Sequence, residues 1–269
     1  MIALVTGGTG GIGLEIARNL TQTGASVIVT GRDEDRGAAT AAELGARFVR
    51  VDHLTVAGNL SLAHHLTQEV SHLDVVVNNV GGAAFTRRTR TAEGHEATLS
   101  LNYLGPIALT QALLSLLGDR ARIVQIVSSA YTMHTGDPFT EPGTYSAISA
   151  YARAKQLNLL ATLSLARALA GRARINAANP GMAWTPGVRA MTRDDVPAWR
   201  YLWPLMRLIQ RRGSPRKAAR TPTTLAAEGI GSGDFYEGNG RLMPIPDRLR
   251  DPEPQDRALR DVVDLIERR

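Results

Sequence analysis

Tyr151 and Lys155 stand four residues apart, and Lys155 is one of only two lysines, with Lys217, among 31 Lys and Arg residues in a chain of 269. On a helix, residues at this spacing share a face, so one pocket can hold both the phenol and the ammonium. A compact, mobile point charge close to a polar group is a task for lysine rather than arginine. The same spacing also describes an ordinary surface lysine beside a half-buried tyrosine. A second chemical element, Thr6-Gly7-Gly8-Thr9-Gly10-Gly11-Ile12-Gly13, lies between a strand pattern and an amphipathic helix pattern. Glycines let a backbone turn tightly and approach a pyrophosphate, and a helix N-terminus supplies free N–H groups and a positive dipole end. Gly7, Thr9, Gly11, Ile12 and Gly13 are therefore candidate dinucleotide contacts. No Gly-Lys-Ser/Thr closes the loop, which disfavours a Walker-type site.

The end of the second strand bears on which dinucleotide fits. NAD sites place a carboxylate there for the ribose hydroxyls. This chain has Val29-Thr30-Gly31-Arg32, and a guanidinium suits a 2′-phosphate, so NADP(H) is favoured over NAD(H). Asp33 and Glu34 follow directly and compete as ribose contacts. Asp52, just past the third strand, is placed to accept from an adenine amino group or to cap the loop, and His53 beside it joins the cofactor set.

These residues need elements to position them. Strands are expected at Ile2–Thr6, Ser26–Thr30, Ala46–Val51, Leu73–Asn78, 122–127 and Arg174–Ala178, with helices near 12–23, Glu34–Leu44, 58–70, 93–117 and 149–170. Strand–helix alternation predicts an α/β fold: a Rossmann-like three-layer sandwich with a central parallel sheet. A last β-like piece is expected at Leu242–Ile245 and a terminal helix at 256–268. No linker or repeat divides the chain, so 1–269 reads as a single domain. Residues 182–222, which hold all three tryptophans and several prolines, break the rhythm and read as an inserted, substrate-facing lid or a packing appendage.

Composition narrows the function further. There is no cysteine and no recognisable metal-ligand spacing among the six histidines, so neither thiolate chemistry nor a metal site is expected. The formal charge of +6 invites a nucleic-acid reading. The arginines are mostly interleaved with acids, however, and the patch from Arg207 to Arg220 holds no stacking aromatics, so no nucleic-acid partner is expected. No leader pattern and no long apolar run are visible, which makes a cytoplasmic protein without a membrane anchor the default.

The ordered set Thr6-Gly-x-x-x-Gly11-Ile12-Gly13, Asp52, Asn78-Asn79-Val80-Gly81, Asn102, Ser128-Ser129, Tyr151-x-x-x-Lys155 and Pro180-Gly181 resembles the short-chain dehydrogenase/reductase family. The family more often has alanine at the position of Val80. Ser129 and Tyr151 are 22 residues apart, longer than in compact members. With Tyr151-Ala-Arg-Ala-Lys155-Gln-Leu-Asn, Ser214-Pro215-Arg216 and Gly233-x-Phe-Tyr236, this resembles the retinol-dehydrogenase and WW-domain-oxidoreductase-like branch. The resemblance implies hydride transfer between nicotinamide and a ketone, aldehyde or alcohol. Tyr151 would be the general acid/base, and Lys155 would lower its pKa and bind ribose. Ser129 would stabilise the substrate oxygen, while Asn102 would hold a helix kink or a water linking Lys155 to solvent. Asn79, Gly81, Pro180, Gly181 and Thr185 would complete the cofactor site. Tyr131, His134, Trp184 and 188–206 are candidate substrate walls, and Tyr145 and Tyr131 are decoys for Tyr151. An epimerase, dehydratase or enoyl reductase on the same fold, or a non-catalytic NADP-binding regulator, are the alternatives. The Lys-poor composition points to a high-GC bacterium. Helices 105–117 and 155–170 could form either core or an interface, which leaves monomer and homo-oligomer open.

Overall fold

The computed structural model describes residues 1–82, 85, 87–181, 183, 201, 208 and 213–269. Seven strands form one parallel sheet in the order β3-β2-β1-β4-β5-β6-β7. They are β1 (Ile2–Val5), β2 (Ser26–Gly31), β3 (Arg47–Arg50), β4 (Leu73–Asn78), β5 (Leu117–Ile126), β6 (Ala173–Asn179) and β7 (Phe235–Glu237). Successive strand residues point to opposite faces. Leu4, Ile28 and Val76 meet one apolar layer with Ile107 and Leu160, while Ala3, Val5, Val29 and Val77 meet the other with Ile16, Leu20 and Leu225. Both faces are thus covered, which is why the central strands read as unbroken apolar runs.

The helices α1 (Gly11–Gln22), α2 (Glu34–Leu44) and α3 (Val56–Glu69) follow the first three strands. Strand order reverses between β1 and β4, so the chain leaves these two neighbours in opposite directions and opens a crevice at their C-terminal ends. The Gly-rich loop and the Asn79–Gly81 segment border it.

The single helix expected over 93–117 is instead interrupted. A turn, α4 (Ala97–Leu99), runs into a π-helical segment at Ser100–Leu104, then α5 (Gly105–Ala112) and a 3-10 turn at Leu114–Leu116. Pro106 sits in the first turn of α5 and has no N–H for a regular bond. Gly105 N–H reaches back to Ser100 O, the wider spacing of a π turn. A methyl group on Gly105 would come within 2.7 Å of Asn59 Nδ2, so the helix must pass close to the start of α3. β5 starts earlier than the apolar run, at Leu117, through a register shift against β4 between Leu73 and Val75.

α6 (Ala147–Ala168) carries Tyr151 and Lys155, as the spacing requires. The described end of the 182–222 stretch forms α7 (Pro215–Ala218) and leads into α8 (Arg220–Glu228), both against α1, with Arg216 Nε 3.4 Å from Glu15 and Asn19 donating to Thr223. The last strand is not Leu242–Ile245. β7 lies earlier, parallel to β6, and Leu242 only bridges antiparallel to Tyr236 on the way back. The terminal helix α9 (Pro252–Glu267) packs on α6, and the Tyr103 hydroxyl on the π segment donates to Ala258 O. Tyr103→Phe removes that bond and leaves Ala258 O with its partner inside α9 alone. It is expected to lower the unfolding free energy by about 1–2 kcal/mol, read by denaturant titration; wild-type stability would mean that the bond does not hold α9.

Candidate active site

At the crevice, Gly7 and Gly11 have φ of 64° and 57°, a left-handed backbone that favours glycine. Gly13 has no room for a side chain, because a Cβ there would lie 2.4 Å from Gly7 O and 2.5 Å from Asn79 Nδ2. The loop therefore folds flat onto the start of α1. The helix begins after Gly10 with no side-chain cap and no acidic residue in its first turn, so its leading N–H groups face the crevice. Thr9 packs against Gly31, where a Cβ would meet its Oγ1 at 2.8 Å. Thr6 Oγ1 accepts from Asn79 N–H at 2.9 Å, and Asn79 Nδ2 donates back to Thr6 O at 2.9 Å. Asn78, its neighbour, turns away and donates to Thr110 Oγ1.

Lys155 is 2 % exposed, and its Nζ donates to Ile126 O at 2.7 Å. The same Nζ stands 5.7 Å from the centroid of the Tyr151 ring, so the two side chains do share one pocket. Burial pushes the Lys155 ammonium down to about 7. Burial also raises the Tyr151 phenol, opposed by a hydrogen bond from Ser128. The expected lowering of Tyr151 by its lysine is thus countered by desolvation of both groups. Gly81 lies between Lys155 and the π segment: a Cβ there would sit 2.7 Å from Asn102 Oδ1 and 3.0 Å from Lys155 Nζ. Asn102 is fully buried, exchanges bonds with Gly82 N–H and O at 2.9 and 3.0 Å, and offers its own carbonyl to Asn158 Nδ2 at 2.8 Å.

A buried lysine beside a tyrosine, at the strand-order reversal and across from an uncapped glycine loop, can exchange protons next to a bound dinucleotide. The model of the short chain dehydrogenase family matches residues 1–196. The chain belongs to that family. This short-chain dehydrogenase/reductase is 32% identical to mouse polyprenol dehydrogenase over 95% of the chain and 81% of the relative, and 29% identical to human retinol dehydrogenase 13 over 91% and 78%. The relatives place it in the retinol-dehydrogenase-like branch. Among solved structures, the Pseudomonas aeruginosa RhlG/NADP active-site complex aligns with a TM-score of 0.69 and 27% identity, covering 88% of this chain and 93% of that one.

Several candidate residues of this dehydrogenase sit otherwise than the sequence implied. Ser128 is the serine whose hydrogen bond opposes the rise of the Tyr151 phenol, and its Oγ also accepts from Ala130 N–H, while Ser129 is exposed at the start of the 3-10 turn after β5. The His53 ring is buried, with both nitrogens engaged by Thr30 and Asn59, so it does not face the crevice. Asp52 is exposed, and its Oδ1 accepts from Leu54 N–H, the capping alternative. Tyr131 is a core residue, edge-on to Phe235 at 5.6 Å, and His134 is buried; neither is an open substrate wall. Tyr145 is tied to Thr98 and Phe85. Pro180 and Gly181, with φ of 77° at Gly181, end β6 at the same sheet edge. Thr185, Trp184 and most of 188–206 lie outside the described residues. Thr30 and Asn59 carried no sequence signal beyond being polar at strand or helix ends. A cleft of about 1380 Å³ lies at the opposite end of the strands, lined by Arg120, Arg172 and Phe235, and includes neither Tyr151 nor Lys155.

The Lys155 value has a consequence for stability. Its folded pKa of about 7 lies below the unfolded value of ~10.4. Between those limits the unfolded chain binds more protons, so stability rises with pH there, and the cost of the buried ammonium is full below pH ~7. Lys155→Met removes this dependence. The melting-temperature difference, variant minus wild type, is expected to shrink steadily from pH 7 to pH 10. A constant difference would show that Lys155 titrates as in solvent.

Proposed function

We propose that this enzyme interconverts a ketone or aldehyde and the corresponding alcohol with NADP(H), and that the observation carrying this reading is the Tyr151–Lys155 pocket beside the glycine loop. The loop fits a dinucleotide: Gly7, Gly11 and Gly13 allow close backbone approach, and the free N–H groups of α1 suit a pyrophosphate. The preference for NADP(H) rests on Arg32. Asp33 is occupied as the N-cap of α2 and pairs with Arg36, and Glu34 pairs with Arg50. Both acids thus have neighbours of their own, while Arg32 is exposed and has no carboxylate partner among the described residues.

When bound, the nicotinamide supplies or accepts the hydride. Tyr151 gives its hydroxyl proton to the carbonyl oxygen in reduction and takes it back in oxidation. A charged Lys155 offsets the burial of the phenolate and can donate to ribose hydroxyls. Ser128 orients the Tyr151 hydroxyl, and exposed Ser129 is open to the substrate oxygen. Asn102 holds the Gly81–Gly82 backbone beside Lys155. The stretch 182–222 is assigned to substrate admission, within a single domain.

Two tests address this reading. Tyr151→Phe is expected to lower kcat by at least ~10³-fold in a carbonyl panel followed by NADPH loss, with cofactor affinity kept within a few-fold. Ser129→Ala should cost about 10²-fold; near-normal turnover in Tyr151→Phe would remove Tyr151 from the acid/base role, and a wild type with no turnover in the panel would leave an epimerase, a dehydratase, an enoyl reductase or a non-catalytic binder. Separately, Arg32→Ala is expected to weaken NADPH binding by about tenfold while sparing NADH, the scale of one charge-assisted contact. Equal losses for both cofactors would remove Arg32 from phosphate recognition.

A further inference from the structure

Between β2 and β3 a buried chain of hydrogen bonds ends at the glycine loop. His53 is 6 % exposed; its Nδ1 lies 2.8 Å from Asn59 Oδ1, and its Nε2 lies 2.6 Å from Thr30 Oγ1. Asn59 Nδ2 is spent on His53 O and Thr55 O, so the atom facing the ring is the carbonyl oxygen, which can only accept. Nδ1 therefore carries the ring proton, and Nε2 is a bare acceptor. Thr30 has one proton to give, and Nε2 takes it. That leaves the Thr30 oxygen to accept from Gly7 N–H at 3.2 Å. The carbonyl of the same peptide unit, Thr6 O, accepts from Asn79 Nδ2 at 2.9 Å.

The first peptide plane of the loop is thus gripped at both ends, from β4 by Asn79 and from β2 by Thr30. The left-handed turn at Gly7 starts from that plane, so its direction decides where the following N–H groups aim. Burial holds the His53 imidazole below its ordinary range against the opposing Asn59 hydrogen bond and the field of Asp52, and so preserves the neutral form that this sequence of donors needs. We propose that His53 is a positioning residue for the dinucleotide, acting through Thr30 to set the Thr6–Gly7 peptide. It rests on the nicotinamide-binding reading above.

The full chain carrying Thr30→Val, Thr30→Ser, His53→Leu or Thr30→Val with His53→Leu tests it, with NADPH as probe. Thr30→Val and His53→Leu should each raise the NADPH Kd about tenfold, the scale of one hydrogen bond, and speed amide exchange at Gly7. At saturating cofactor, kcat should stay within about twofold, because Tyr151 and Lys155 are untouched. Thr30→Ser should bind as wild type, and the double variant should bind no worse than Thr30→Val alone, since the two act in series. A His53→Leu protein with a lowered melting temperature but wild-type Kd and Gly7 exchange would overturn the proposal, as would additive losses. If the wild type binds neither NADPH nor NADH, the functional reading fails by itself, and Gly7 exchange in the variants still decides the network.

Discussion

Much of the site's construction follows from a single ammonium kept out of water. Among the described residues Lys155 Nζ has one acceptor, the Ile126 carbonyl at the end of β5, and is otherwise enclosed. An unpaired buried charge is costly, and the group responds by moving toward its neutral form. The same enclosure demands space. It is supplied by Gly81, whose missing side chain leaves room for both Lys155 and Asn102. Asn102 in turn ties down Gly82 from a helical segment that has widened to π geometry. The residue with the most distinctive composition signal is therefore also the one around which β4, β5, the π segment and α6 are fitted.

The fold was legible because buried parallel strands leave long apolar runs and because the glycine loop marks the first crossover. The Tyr151–Lys155 pair was legible because a helix converts sequence spacing directly into proximity. Other features depend on approaches between distant segments. Nothing around Ser128-Ser129 says which hydroxyl turns toward α6, since β5 ends at Ile126 and strand alternation stops there. His53 adjoins Asp52 and could be read as facing the same ligand. Its ring goes inward because Asn59, on the first turns of α3, and Thr30, on β2, offer complementary partners.

The π segment shows how local chemistry and tertiary need coincide. Gly105-Pro106 would interrupt a regular helix wherever it stood. Here the interruption falls where the chain crosses the start of α3 and where Asn102 must face Gly82, and Asn158 on α6 caps the displaced Asn102 carbonyl. Extra length in one helical turn thus becomes a fixed attachment for the loop after β4. A regular helix over 93–117, as periodicity alone implies, would set these side chains at a different rotation.

The far edge of the sheet has a consequence of another kind. β7 has only three residues, and its outer side is not left bare: Met243 N–H bonds to Phe235 O, Glu237 N–H bonds to Arg241 O, and Leu242 bridges Tyr236. An open parallel edge is a template for another strand. The returning chain occupies these backbone groups, so β7 itself offers no free edge to a neighbour's strand on this side.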